Sequence, residues 1–120
     1  MVLVVDDDPD LRDAVVYYLK VIGMDAVGAA EGREALALLQ RGLPICLILL
    51  DMRMPGMDGW QFREAQLRDP RIAHIPAVMF SAEAAIDARA RRLGLEEHLT
   101  KPGDPERVTE LVHRRCARNH

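Results

Sequence analysis

Two apolar runs in this chain end abruptly in carboxylates. Val2-Leu3-Val4-Val5 passes directly into Asp6-Asp7, and Ile45-Cys46-Leu47-Ile48-Leu49-Leu50 passes directly into Asp51. Short runs this rich in Val, Ile and Leu read as strands buried on both faces, which is the habit of a parallel sheet covered by helices. A charge does not belong inside such a strand, so each aspartate marks the point where a carboxyl end emerges into water. If the two strands are neighbours, three carboxylates meet at one rim of the sheet. Like charges at contact distance are unfavourable unless a cation or a shared proton neutralises them. The pattern therefore points to a metal site.

The rest of the chain reads as strand then helix, five times. Asp8 is placed to cap a helix that has Pro9 at its first position and Asp10 in its first turn. Leu11, Val15, Tyr18, Leu19 and Ile22 mark one face of that helix, and Gly23 stops it. A short strand follows near Asp25–Ala29, then a helix over Gly32–Arg41 with Ala35, Leu36, Leu38 and Leu39 inward. Glu31 is a poor cap for it. Strand three is Ile45–Leu50, and the loop from Asp51 to Gly59 ends at Asp58, a cap for helix three. Trp60, Phe62, Ala65 and Leu67 are the candidate inward residues there. Strand four, Ala77–Phe80, ends in Ser81, and helix four is expected over Ala84–Leu93. A brief strand near Glu97–Thr100 leads into Lys101-Pro102-Gly103 and a last helix carrying Val108, Leu111 and Val112, with Asp104-Pro105 as its capped start. Such alternation requires a parallel sheet with right-handed crossovers, an α/β doubly wound fold. In these sheets ligands sit outside the carboxyl ends of the strands. Asp6-Asp7, Asp51, Ser81 and Lys101 all fall at that rim.

Size and charge narrow the function. The 120 residues suffice for one domain with a real core, and the net charge of −3 offers no basic field for nucleic acid. No apolar stretch approaches the ~20 residues that span a bilayer, and nothing in the chain reads as a linker, a leader or a DNA-binding segment. Cys46 and Cys116 show neither CxxC spacing nor a nearby His pair. They read as a structural thiol and a bystander, which makes a reducing cytoplasm the default compartment. His74, His113 and His120 have no partner at ligand spacing.

Three carboxylates suit a hard divalent cation such as magnesium. Beside it, an oxygen of Asp51 is able to attack phosphorus and form an acyl phosphate. Ser81 adds a hydroxyl donor and Lys101 a point positive charge for the transferred oxygens. A nucleotide is not called for, since no Gly-rich phosphate loop is present.

Taken together, Val4-Val5-Asp6-Asp7, the run from Asp51 to Gly59, Ser81-Ala82 and Lys101-Pro102 resemble the receiver domain of two-component response regulators. The resemblance covers essentially the whole chain. It implies a flavodoxin-like, five-stranded parallel sheet of order 2-1-3-4-5 with helices on both faces. It implies Asp51 as phosphoacceptor. Asp7, Asp6, Asp51 and the backbone carbonyl of Arg53 would form the Mg2+ (or Mn2+) shell. Ser81 and Lys101 would contact the phosphoryl group, and the bond before Pro102 would be cis. The donor would be a histidine kinase or histidine phosphotransfer protein. The output would be a downstream protein partner or a homodimer through the helix 4–strand 5–helix 5 face, with no direct nucleic-acid or membrane contact and no multiple-turnover enzyme activity.

The chain also departs from that pattern. His98 stands where Tyr or Phe is usual, so the relay it would form with Ser81 carries a polar, titratable ring. Gly103 replaces a bulky apolar residue, and Leu95 a small one. Arg53 and Glu83 each lie two positions beyond a site residue, where an ion pair would slow hydrolysis of the acyl phosphate. Two alternatives stay open. One is an interaction module that works without phosphorylation. The other is a small aspartate-nucleophile phosphatase, which generally wants an acid at the position held by Arg53.

Overall fold

The computed structural model describes residues 1–81, 87–95, 97–100 and 105–116. Five strands alternate with five helices among them: β1 (Val2–Val5), α1 (Pro9–Val21), β2 (Ala26–Ala29), α2 (Gly32–Gln40), β3 (Leu47–Leu50), α3 (Gly59–Arg68), β4 (Ala77–Ser81), α4 (Ala88–Arg92), β5 (His98–Thr100) and α5 (Pro105–Cys116). All strand pairs are parallel, in the order β2-β1-β3-β4-β5. Val5 lies level with Leu50, and Leu50 with Met79.

Successive side chains in a strand point to opposite faces, so the sheet divides the core in two. Leu3, Val5, Ile48, Leu50, Ala77 and Met79 enter one cluster with Ala35, Leu39 and Phe62 of α2 and α3. Val2, Val4, Leu47, Leu49, Val78 and Phe80 enter the other with Val15 and Leu19 of α1 and Val108, Leu111 and Val112 of α5. Both faces of β1 and β3 are thus sealed, as their unbroken apolar runs require.

Helix starts follow their caps. Asp8 accepts from the backbone N–H of Asp10 and Leu11. Glu31, expected to cap poorly, nonetheless caps α2 with its longer side chain, accepting from Arg33 N–H at 2.8 Å. Asp87, extended at φ −104°, accepts from Ala90 N–H and opens α4 at Ala88, later than the Ala84 start expected from the sequence. Residues 84–86 of that expectation lie outside the described residues, as does Asp104.

Helix three corrects the pattern reading. Phe62 is buried as expected, but Trp60, Ala65 and Leu67 are only half-buried. The inward positions are taken instead by Arg63 and Gln66, 6% and 0% exposed. Their polar atoms are consumed locally. Arg63 donates to the carbonyls of Leu93 and Ile75 and to Gln66 Oε1, and Gln66 Nε2 donates to the carbonyls of Ile72 and Ile75. A buried guanidinium is tolerable when its donors are met, and burial still pushes the Arg63 pKa down. This pair ties α3 to the end of α4 and to the entry of β4.

The cysteines also differ from expectation. Cys46 and Cys116 are not a lone thiol and a bystander; they form a disulfide, with Cα atoms 5.5 Å apart and 70 residues between them in sequence. The last turn of α5 returns to the start of β3, a pairing that sequence spacing does not encode. On a chain-entropy basis a cross-link of that span stabilises the fold by about 4 kcal/mol. Cysteine usage therefore gives no argument for a reducing compartment. Next to this link, Arg114 and Arg115 in the last turn of α5 pair with Glu97. Burial pushes the Glu97 carboxyl up, but the two guanidinium groups outweigh it and hold its pKa below the ordinary value. A depressed carboxylate stabilises the fold above its unfolded pKa, and that contribution is lost as pH falls through the folded one.

Gln66→Leu is expected to destabilise the protein by roughly 1–3 kcal/mol, because the Ile72 and Ile75 carbonyls and one Arg63 N–H each lose one of their hydrogen bonds in a dry site. Urea unfolding monitored by circular dichroism measures it; a loss under about 0.5 kcal/mol would mean these bonds are dispensable.

Candidate functional site

The site is set by register. Because Val5 is level with Leu50, the next residue of each strand, Asp6 and Asp51, emerges side by side at the rim. The strand order reverses between β1 and β3, since the chain runs from β1 out to β2 and then returns to the other side of β1. That crevice is where open α/β sheets bind ligands. Asp6 is 0% exposed and Asp51 4%, while Asp7 is exposed. One carboxylate oxygen from each of Asp6, Asp7 and Asp51 lies within 4.8 Å of the other two. Two of three carboxylates are therefore removed from water while close to like charge. An all-oxygen set of this spacing fits a hard divalent cation.

Backbone geometry holds each acid in place. Asp51 N–H donates to Val5 carbonyl at 2.9 Å, and Asp6 N–H to Ala29 carbonyl at 3.0 Å. Asp8 N–H donates to Asp6 Oδ1 at 2.9 Å, and Arg53 N–H to Asp51 Oδ1 at 3.1 Å. Both buried carboxylates are thus oriented by the N–H two residues on, an Asx turn built into the loop after the strand. Arg12 adds a tether that sequence reading misses: its Nη1 donates to the Asp6 carbonyl at 2.8 Å. Its only sequence signal is its place in the first turns of the helix after the acid pair.

The Asp51 loop is packed from below by two glycines. Asp58 and Gln61 form a reciprocal capping box, with bonds of 2.9 and 3.0 Å, which starts α3 at Gly59. A Cβ on Gly59 would lie 2.5 Å from the Asp51 carbonyl oxygen and 2.7 Å from Met52 Cα. A Cβ on Gly32 would meet Met57 Cγ at 2.6 Å. Only glycine lets α2 and α3 begin this close to the loop that carries Asp51. Trp60, in the first turn of α3, packs under the Arg89 guanidinium of α4, 4.4 Å from the ring centroid.

Ser81 ends β4 one position beyond the level of Asp51 and is half-buried at the same rim. Asp8 is a helix cap, as its Pro9 neighbour suggests. His98 opens β5 level with Met79, half-buried, with Nε2 3.2 Å from Thr100 Oγ1. The Arg53 side chain is exposed. Lys101, Pro102 and Glu83 lie outside the described residues, so the phosphoryl-contact, cis-peptide and hydrolysis readings for them rest on sequence.

Comparison with known proteins agrees with this geometry. Residues 2–113 match the family described as the response regulator receiver domain. An uncharacterized 14.6 kDa protein from the sodA1 3′ region of Leptolyngbya boryana is 39% identical over 117 residues, covering 96% of this chain and 88% of that one. The DNA-binding dual master transcriptional regulator RpaA of Synechocystis is 35% identical over 113 residues; the match covers 92% of this chain and 46% of RpaA, about half its length. Among solved structures, the Vibrio cholerae chemotaxis protein CheY4 superposes with a TM-score of 0.87 at 31% identity, covering 95% of this chain and 96% of that one. A receiver protein from Pseudomonas putida gives 0.86 at 33%, covering 94% of each.

Gly59→Ala is expected to cost about 1–3 kcal/mol by overpacking the Asp51 loop. Thermal unfolding reads it, and an unchanged melting temperature would show that the loop yields freely.

Proposed function

The chain belongs to the response regulator receiver domain family, and from that premise we propose that Asp51 accepts a phosphoryl group from a histidine kinase or histidine phosphotransfer protein. The observation that carries this reading is the convergence of Asp6, Asp7 and Asp51 within 4.8 Å at the reversal point of the sheet. In the transfer, an Asp51 carboxylate oxygen bonds to phosphorus as the bond from phosphorus to the donor imidazole nitrogen breaks. The electron pair stays on the imidazole, which takes up a proton, and Asp51 becomes an acyl phosphate.

Asp6, Asp7, Asp51 and the backbone carbonyl of Arg53 would hold Mg2+ or Mn2+, which when bound neutralises charge between an anionic nucleophile and an anionic phosphoryl group. The protein's own groups do the rest. Asp8 N–H fixes Asp6, and Arg53 N–H orients Asp51 through Oδ1. Ser81 and Lys101 would donate to the transferred oxygens and be drawn toward them by the new charge. With His98 as the relay on β5, that movement would bias the α4–β5–α5 face between two arrangements and so gain or lose a protein partner or a second copy. The Trp60–Arg89 contact supports this route, since it joins the helix packed under the Asp51 loop to α4. Residues 1–120 would act as one receiver unit in the cytoplasm. A net charge of −3 favours output through protein contact over direct nucleic-acid binding.

Acetyl phosphate with Mg2+ should add one phosphoryl mass to the protein, none to Asp51→Asn, and none to either after chelation. An unmodified wild type would favour an interaction module that works without phosphorylation. In the same assay, Arg53→Ala and Glu83→Ala are expected to shorten the lifetime of the acyl phosphate severalfold by opening the path of attacking water. Equal lifetimes in both variants and the wild type would remove these residues from the account.

A further inference from the structure

The disulfide lies at the amino-terminal ends of the strands, opposite the acid cluster. Cys46 immediately precedes β3, and Asp51 immediately follows it, so the two are separated by about 16 Å of extended chain. The two half-cystines are unequal. Cys116, the last residue of α5, is 1% exposed in the core cluster with Val108, Leu111 and Val112. Cys46 is only partly buried and lines an open cleft of about 850 Å³ beside Met1, Pro44, His74, Arg114 and Arg115. Thiol–disulfide exchange needs a thiolate to reach one sulfur in line with the bond, so access decides which sulfur reacts.

We propose that Cys46–Cys116 is an exchangeable redox staple, with Cys46 the site of thiolation by small thiols and Cys116 the resolving cysteine. In the reducing direction, a small thiolate attacks Cys46 Sγ from the cleft. A mixed disulfide forms there, the Cys46–Cys116 bond breaks, and the electron pair leaves on Cys116 Sγ, which takes up a proton. A second small thiolate then attacks the sulfur of the bound small thiol, releasing Cys46 as a thiolate and a small-molecule disulfide. The oxidising direction runs in reverse, with the small-molecule disulfide as oxidant.

The structural consequence comes from position. The bond fastens the last turn of α5 to the start of β3, and the Glu97 carboxylate holds Arg114 and Arg115 in that same turn. Breaking the bond leaves the turn held by apolar packing and an ion pair that water reaches. In a cytoplasm, where persistent disulfides are rare, such a bond serves sensing. That physiological sense rests on the compartment proposed above, whereas the exchange chemistry does not.

Glutathione is the probe. The protein equilibrated in buffers of graded reduced-to-oxidised glutathione ratio, then alkylated and weighed intact, should pass reversibly between a disulfide and a doubly alkylated form. With oxidised glutathione, Cys116→Ala should accumulate one glutathionyl mass at least about tenfold faster than Cys46→Ala, a difference set by access and erased in urea. Amide exchange over residues 111–116 should be slower in the disulfide form than in the reduced one. The doubly substituted protein should show no response to glutathione. Equal thiolation of the two single variants while folded would overturn the assignment of Cys46. A disulfide that never reforms, or equal amide exchange in both forms, would overturn the staple. Phosphorylation of Asp51 from acetyl phosphate, run on the same samples, reports on the receiver chemistry separately.

Discussion

Everything in this molecule hangs on the parallel pairing of β1 with β3. That pairing is driven by two strands with no polar face, which find burial only at the centre of a sheet covered on both sides. Its register, Val5 level with Leu50, leaves Asp6 and Asp51 side by side where the strands run out. A slip of one residue would turn every side chain of one strand to the other face. The apolar core thereby specifies the spacing of the acids, although no acid contributes to the core.

Around that pairing, the helices serve as struts for loops. Gly59 and Gly32 bring the starts of α3 and α2 against the Asp51 loop, and Arg12 on α1 holds the end of β1. The Arg63–Gln66 pair plays the same part on the far side. It satisfies backbone carbonyls where α4 ends and β4 begins, so that α3, wedged under the acid site, is also bonded to the neighbour of the α4–β5–α5 face. The elements around Asp51 are thus joined to one another by packing and hydrogen bonds.

Much of this is legible in the chain before folding. Periodicity places all five strands and five helices to within a few residues, and caps such as Asp8 and Asp58 are readable because their bonds span two or three residues. Asp87 is a further local cap, accepting from the Ala90 N–H three residues on, that the alanine pattern of α4 does not bring out. Arg63 and Gln66 escape periodicity because their burial depends on carbonyls contributed by other elements, between 6 and 30 residues away. Glu31 looks weaker than it is because its cap relies on side-chain reach that a propensity ranking averages out.

By itself the sequence determined the alternation of strands and helices and which strand ends carry acids, since apolar runs and charges are local facts. Through the family motifs it also indicated the neighbour order that brings Asp6, Asp7 and Asp51 together. Only the tertiary structure decided the register that sets their spacing, the polar pair inside α3 and the bond between Cys46 and Cys116. The register and the disulfide join groups far apart in the chain, and the polar pair reaches carbonyls 6 to 30 residues away; their distances are settled by how helices pack on a twisted sheet, not by any residue's own preference.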